Sequence, residues 1–499
     1  MVLYDSTRGG NEGIASAEAI KKGISPNGGL YVPRDFEKLT IDEIVTLKDM
    51  TYQERAVTVL KRFLDDFTID ELKDCVSKAY NNKKFTSPDI VPVKRLNDSL
   101  SILELWHGPT CAFKDMALQI LPHFLVKAME KTGEQSEIVI LVATSGDTGK
   151  AALEGFADVE GTKIIVFFPH EGVSEVQKYQ MITQAGGNVK VVAVKGNFDD
   201  TQTGVKRIFT DSQLIEKINR KNLKFSSANS INWGRLVPQI VYYFSAYADL
   251  LKANSIKPGD KINFVVPTGN FGNILAGFYA KKMGLPVNKL ICASNDNNVL
   301  TDFIRTGIYD RRRQFVKTIS PSMDILISSN LERLLYELSD YDSQKVSDWM
   351  KQLNEQGYYK VDTELIEKIQ ETFWADWSDQ EETLKTIECI YKDYNYVSDT
   401  HTAVGVDVYD KYVITTGDLT STVTLSTASP FKFNQSVCKA LFNDDETDNK
   451  NEFELLELLS RKTGWPVPEG LKDLDKKEIL HTEVCEKENM KALVENILL

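Results

Sequence analysis

One lysine and three short loops hold the residue types that could do chemistry. Lys114 lies in the stretch ELWHGPTCAFKDMALQILPHFL, residues 104–125. A Gly108-Pro109-Thr110 turn precedes it, and Met116, Leu118, Leu121 and Leu125 follow at the spacing of one helical face. By itself Lys114 reads as a surface lysine whose stem covers apolar surface. Its place at the start of a helix is unusual, because the positive end of the macrodipole opposes an ammonium and pushes its pKa down from about 10.4. A lysine that loses its proton easily is suited to Schiff-base chemistry, since only the neutral amine attacks a carbonyl.

The first two loops bind anions in principle, and the third brings an arginine. In TSGDTGKAA, 144–152, Ser145, Thr148 and the amides around Gly146 and Gly149 face the mouth of a helix, while Asp147 adds a negative charge that favours a mixed polar site over a pure phosphate nest. In PTGNFGNILAG, 267–277, Gly269, Asn270, Phe271, Gly272 and Asn273 offer successive N–H groups to a phosphate at the next helix's positive end. This is not GxGxxG; Asp296 stands where a nicotinamide-binding chain would want an acid, so a dehydrogenase stays open as a rival. In SSANSINWGRLVPQ, 226–239, polar residues precede an apolar helix with Arg235 just inside it, a residue suited to gripping phosphate or carboxylate. Each loop also reads as an ordinary capped connection. A lysine and two anion loops together describe a phosphorylated aldehyde cofactor.

The elements that must position these groups read as an α/β sheet. EIVILVA, TSGDTG, KAALEGFAD and KIIVFFP form one strand–loop–helix–strand unit; KINFVVP, TGNFGN, ILAGFYAKKMG and KLICAS form a second. Their near-continuous apolar strands suit a parallel sheet covered on both faces, with both loops at the strand C-terminal ends where such sheets bind ligands. Residues 1–95 mix turns with amphipathic helices capped by Thr40 and Thr51. Residues 330–395 read as a helical insertion or lid, Tyr412 to Phe433 as an extended region, and the end as a helical tail.

Composition narrows the class. A net charge of −13 over 499 residues argues against a nucleic-acid partner held by phosphate contacts. Six scattered cysteines form no CxxC pair and no metal-like spacing with the five histidines, so no metal is expected and a reducing compartment is. IVILVA, the longest apolar run, is far short of the roughly 20 residues of a membrane helix. With no apolar leader at the N-terminus, the expected location is cytoplasmic.

HGPTCAFKDMALQ, ATSGDTG, SANSIN, PTGNFGN and STASPFKF, in this order, resemble the threonine synthase family in its long form typical of fungi and many bacteria. YDSTRG, GGLYVP, VKGNFDD and DTHTAVG fit as well, with Thr400 where the family often has proline. The resemblance implies a pyridoxal 5'-phosphate enzyme of the tryptophan synthase β-like fold: two parallel-sheet α/β lobes and a mainly helical N-terminal domain. The expected domains are 1–95; a core of 96–430, with a mobile small lobe at 136–225 and a helical insertion at 330–395; and a C-terminal helical segment of 431–499. Lys114 resembles the Schiff-base lysine, Gly269 to Asn273 the cofactor-phosphate cradle, and Thr427 the hydroxyl residue at the pyridine nitrogen. Ser145, Asp147 and Thr148 fall where the family meets the substrate's amino-acid end and the cofactor face; Ser230, Asn232 and Arg235 are the expected partners of the substrate phosphate. The implied reaction takes O-phospho-L-homoserine and water to L-threonine and phosphate, as a carbon–oxygen lyase in threonine biosynthesis. A phospho-lyase releasing 2-oxobutyrate and a silent binding protein are the alternatives within this fold. Monomer and homodimer are both open.

Overall fold

The computed structural model describes residues 1–10, 13–144 and 146–499. Its strands in chain order are β1 (Tyr4–Ser6), β2 (Tyr31–Pro33), β3 (Val93–Arg95), β4 (Leu100–Glu104), β5 (Glu137–Ala143), β6 (Thr162–Pro169), β7 (Val189–Lys195) and β8 (Leu223–Ser226). They continue with β9 (Ile262–Pro267), β10 (Val287–Ser294), β11 (Ile308–Asp310), β12 (Tyr358–Lys360), β13 (Phe373–Trp377), β14 (Thr422–Ser426) and β15 (Val484–Glu486). Two sheets dominate. The larger runs β13-β10-β9-β14-β4-β3, parallel except for β3 against β4. The smaller runs β15-β7-β6-β5-β8 and is parallel throughout.

The two expected strand–loop–helix–strand units form as read. β5 and β9 lead into helices Asp147–Phe156 and Gly272–Lys282, and return as β6 and β10. Every residue of β9 is buried, which explains its near-continuous apolar run INFVVP, broken only by Asn263. Thr40 and Thr51 cap their helices through reciprocal bonds with Glu43 and Glu54. The helix Trp233–Lys252 is buried along almost its whole length. Its Trp233 packs edge-on against Tyr4, Phe63 and Tyr279 at centroid distances of 5.4, 5.8 and 5.3 Å, joining the N-terminal region to the core. Each such ring contributes about 1.5–3 kcal/mol through the apolar area it buries.

The structure corrects four local readings. Met116 to Leu125 is not one helix: a single turn, Asp115–Leu118, breaks at Gln119 and Ile120 before Leu121–Lys131 begins. Pro122 has no N–H to give the Leu118 carbonyl, so the ladder is interrupted there. Tyr412 to Phe433 is mostly not extended. The helix Thr400–Thr416 runs into it, because Val404, Val408 and Tyr412 lie one face apart and are all buried; burial of that face overrides their β-branched and aromatic preference. Residues 330–395 carry four helices but also β12 and β13, and β13 forms the edge of the larger sheet. The C-terminal segment is only partly helical: an irregular stretch, 464–483, follows the helix Glu452–Thr463, and β15 then pairs in parallel with β7 and completes the smaller sheet.

Candidate active site

Lys114 is placed by the larger sheet. β4 and β14 are neighbours in register, Ser426 opposite Glu104, so the chains leaving them run side by side. Ala112 bridges Ala428, and the Phe113 N–H donates to the Thr427 carbonyl at 2.8 Å. Lys114 follows at the residue that caps the short Asp115–Leu118 turn. Its side chain is 12% exposed, nearly dry yet open to a small ligand.

The amine has two oxygen partners, Ser322 Oγ at 3.1 Å and Asp147 Oδ2 at 3.3 Å. Its pKa lies below the usual lysine value. Burial is the largest cause; the charges of Lys432 and Arg235 add to it, and Asp147 opposes it. The structure therefore supports the expected direction and replaces its cause: a one-turn helix has little dipole, whereas desolvation acts on the whole ammonium.

Asp147 opens the helix after β5 and is the electrostatic hub. Oδ1 meets the Lys432 ammonium at 2.9 Å and accepts from Gln177 Nε2 at 2.8 Å; Oδ2 meets Lys114 and accepts from Ser322 Oγ at 3.1 Å. Burial pushes this carboxyl up, but Lys432 and Lys114 outweigh it and hold the group ionised, well below the usual carboxylate range. Thr144 braces the loop by accepting the Gly146 and Gly149 N–H groups, both at 3.0 Å. Thr148 is half-buried in the first helical turn. Ser145 lies outside the described residues.

The 269–273 loop carries the features of a phosphate cradle. Phe271 is buried with φ 61° and ψ −1°, a left-handed conformation that costs a bulky residue about 1 kcal/mol or more and turns the chain sharply into its helix. The first-turn amides of that helix have no acceptor within it. A Cβ on Gly269 would stand 2.7 Å from the Ser322 carbonyl oxygen, so only glycine fits beneath that segment. Ser328 Oγ donates to the Gly269 carbonyl at 2.7 Å, and the Asn330 N–H and amide donate to the Asn270 carbonyl at 3.1 and 3.0 Å. Asn273 Oδ1 accepts from Tyr242 and Tyr243, while its buried Nδ2 has no protein partner among the described residues. That unmet donor beside open helix amides fits an anion.

Thr427 is 5% exposed where β14 ends, next to the strand that carries the Lys114 loop. Arg235 is buried; one nitrogen donates to the Ala228 carbonyl at 2.8 Å, Nε has no partner among the described residues, and burial brings its pKa down to about 10. Asn232 is committed to structure, its Oδ1 capping Gly234 and its Nδ2 holding the Ile20 carbonyl. Ser230 is half-buried and its hydroxyl donates to the Asn229 side-chain oxygen. Cys111 is buried with its thiol pushed up to about 12 by burial, an inert packing group.

Sequence reasoning passed over Lys432, Ser322 and Gln177. Lys432 lies in STASPFKF, only five residues after Thr427, and is fully buried between Asp147 and the Thr110 carbonyl. A lone serine or glutamine in a polar loop carries no sequence signal. Among the described residues no group of histidine, cysteine and acidic side chains could hold a metal ion.

Three family profiles match the chain: threonine synthase N terminus over residues 3–80, pyridoxal-phosphate dependent enzyme over 89–359, and threonine synthase, C-terminal, over 402–497. Human threonine synthase-like 1 is 40% identical over 96% of this chain, which spans 66% of that relative's length. Threonine synthase of Schizosaccharomyces pombe is 38% identical, covering 88% of this chain and 89% of the relative. The crystal structure of PLP-bound threonine synthase from Brucella melitensis superposes with a TM-score of 0.88 at 35% identity, covering 100% of this chain and 99% of that one. A buried lysine facing a braced carboxylate and a glycine-floored cradle thus sits in a chain matched from end to end by one group of pyridoxal-phosphate dependent enzymes, and the protein belongs to the threonine synthase family.

Proposed function

We propose that the protein converts O-phospho-L-homoserine and water to L-threonine and phosphate, with pyridoxal 5'-phosphate held at Lys114. The observation that carries this reading is the nearly dry Lys114 amine, lowered in pKa and set between Asp147 and Ser322. The residues fit the cofactor: Gly269 to Asn273 with the unmet Asn273 donor would take its phosphate, Lys114 its aldehyde carbon, and Thr427 its ring nitrogen. When bound, pyridoxal phosphate supplies an electron sink for negative charge developing next to the substrate's amino group.

The chain's own groups do the rest. Lys114 Nζ takes the proton from the substrate α-carbon and returns protons later, which needs the free base that burial favours. Asp147, held ionised by Lys432, faces the amine and bears the site's fixed negative charge. Thr148 and Ser145 are assigned to the substrate's amino-acid end. Arg235, whose Nε has no partner among the described residues, is assigned to the substrate phosphate; Asn232 serves that site by capping the helix that carries Arg235, and half-buried Ser230 stands at its rim. Water must stay out until the phosphate has left, so the small lobe at 136–225 is expected to close over the site.

Purified protein incubated with O-phospho-L-homoserine should release phosphate and L-threonine in equal amounts. Phosphate with 2-oxobutyrate and no threonine would establish the phospho-lyase reading instead, which the 40% identity to relatives named only threonine synthase-like keeps in view. Lys114→Ala should lower turnover by about a thousandfold or more and remove the bound cofactor's visible absorbance. The cysteines are all free and no helix among the described residues is long and apolar enough to cross a membrane; on the cysteines we place the protein in the cytoplasm.

A further inference from the structure

The motif Asp399-Thr400-His401-Thr402 has no part in the reaction so far, yet it reaches Lys114 in two steps. Asp399 caps the helix Thr400–Thr416, with Oδ1 accepting from the His401 N–H at 2.8 Å and Oδ2 from the Thr402 N–H at 3.3 Å. The same Oδ1 lies 2.8 Å from His401 Nδ1. His401 is 1% exposed, and its Nε2 accepts the backbone N–H of Ser322 at 3.1 Å, across 79 positions of chain. An acceptor at Nε2 requires the proton on Nδ1, where Asp399 takes it; the partners assign one tautomer. Phe433 packs on the ring edge-on at 4.7 Å and closes its remaining side.

The segment held this way carries the hydroxyl that touches Lys114. A neutral lysine amine has two N–H bonds and one lone pair. Asp147 Oδ2 can take one N–H and Ser322 Oγ the other, while the Ser322 O–H is given to Asp147. With both hydrogens committed, the lone pair has one direction, away from the two acceptors. With Asp147 alone, only one N–H would be committed, and the second N–H and the lone pair could exchange places. Lys114 and Ser322 also belong to the body of the larger sheet, whereas Asp147 rides on the smaller one. Ser322 therefore stays with the lysine when the smaller sheet moves.

We propose that Ser322 is a further catalytic residue, the acceptor that aims the Lys114 lone pair, and that His401, fixed by Asp399, is the positioning residue that holds Ser322 in place. The proposal rests on Lys114 as the acting amine, and two of its three readouts need no substrate. In the full chain stripped of cofactor, the rate at which Lys114 captures added pyridoxal 5'-phosphate, read as growth of visible absorbance, should fall about tenfold in Ser322→Ala and in His401→Leu. His401→Gln offers an amide oxygen near the Nε2 position and should recover most of the rate. Hydrogen exchange at the Ser322 amide should accelerate by about tenfold or more in His401→Leu and not in His401→Gln. With O-phospho-L-homoserine, Ser322→Ala should lose about ten- to a hundredfold in kcat with KM within about threefold, and the Ser322→Ala/His401→Leu double variant should be no worse than either single one. Unchanged capture in Ser322→Ala, unchanged exchange in His401→Leu, or losses that multiply in the double variant would each overturn the proposal. Absence of threonine from the unaltered protein would count against the proposed reaction and leave the capture and exchange tests decisive.

Discussion

At the scale of single residues, the site works through charges that could not be buried alone. Lys432 and Asp147 form a pair in which breaking one side leaves the other stranded. Lys432 also disfavours the ammonium of Lys114. Lys432→Met removes that repulsion and leaves Asp147 to pull harder on Lys114, so both effects raise the Lys114 pKa. The acid limb of the pH profile of turnover should move to higher pH by about one unit; a limb that stays put or moves down would refute this role. Asp115 behaves oppositely. Burial raises its carboxyl to about 6, although the Thr110 N–H and hydroxyl, both at 2.8 Å, pull it down. A folded-state value above the unfolded one of about 3.9 means that its contribution is present at acid pH and lost as pH rises through 6. Asp115→Asn should flatten the dependence of urea-unfolding stability between about pH 4 and 6, by at most about 3 kcal/mol. Lys114 itself was legible from its place between a turn and an apolar run. Lys432 and Ser322 were not, because their partners lie hundreds of positions away and nothing local marks them.

At the scale of elements, the loops at the strand ends are shaped by what lies above them. Gly269 is required because the Ser322 carbonyl covers it, and Phe271 turns left-handed so that the following helix points its open amides outward from the turn. Gly269→Ala forces a Cβ against a backbone oxygen that the Ser322 segment cannot easily give up. Affinity for pyridoxal phosphate, titrated by absorbance, should fall about ten- to a hundredfold with the fold's circular dichroism unchanged. Affinity equal to the parent would show that the cradle lies elsewhere. The alternation of strand and helix around both anion loops was readable because fully buried parallel strands leave continuous apolar runs. The stretch from Tyr412 was misread because the last turn of its helix, Tyr412 to Thr416, consists of β-branched and aromatic residues that favour strands, and only packing distinguishes the two.

At the scale of the molecule, the smaller sheet is assembled from distant parts of the chain. β15 pairs with β7, and Met490 and Val494 of the last helix sink into the cluster that holds Ile208, Leu214 and Ile218. Ion pairs such as Lys195–Glu486 at 2.6 Å and Lys487–Asp200 at 3.0 Å fringe this seam and add little. If the small lobe closes, the C-terminal tail from about residue 484 should travel with it. Crystals of the protein free and with a substrate analogue should show the two moving as one body relative to the larger sheet; superposition without relative motion would refute the closure. Ending the chain before Val484 should bare the edge of β7 and accelerate hydrogen exchange in the smaller sheet while sparing the larger. Equal protection in both sheets would show that the tail is only an appendage.

The sequence by itself determined the parts that depend on local order: the apolar strands, the threonine caps, the glycine-bearing loops and the lysine at the end of its turn. These follow from steric limits and from hydrophobic periods, which act over a few residues. The sequence also carried the chemistry, since a lysine with two anion loops calls for a phosphorylated aldehyde. Only the tertiary structure decided what makes Lys114 reactive. Burial lowers its pKa where a helix end had been the expected cause, and the groups around it come from three separate segments: its partners Asp147 after β5 and Ser322 after β11, and the repelling Lys432 after β14. Desolvation and Coulomb terms depend on distance in space, and distance in space between such segments is set by the closing of the two sheets on each other.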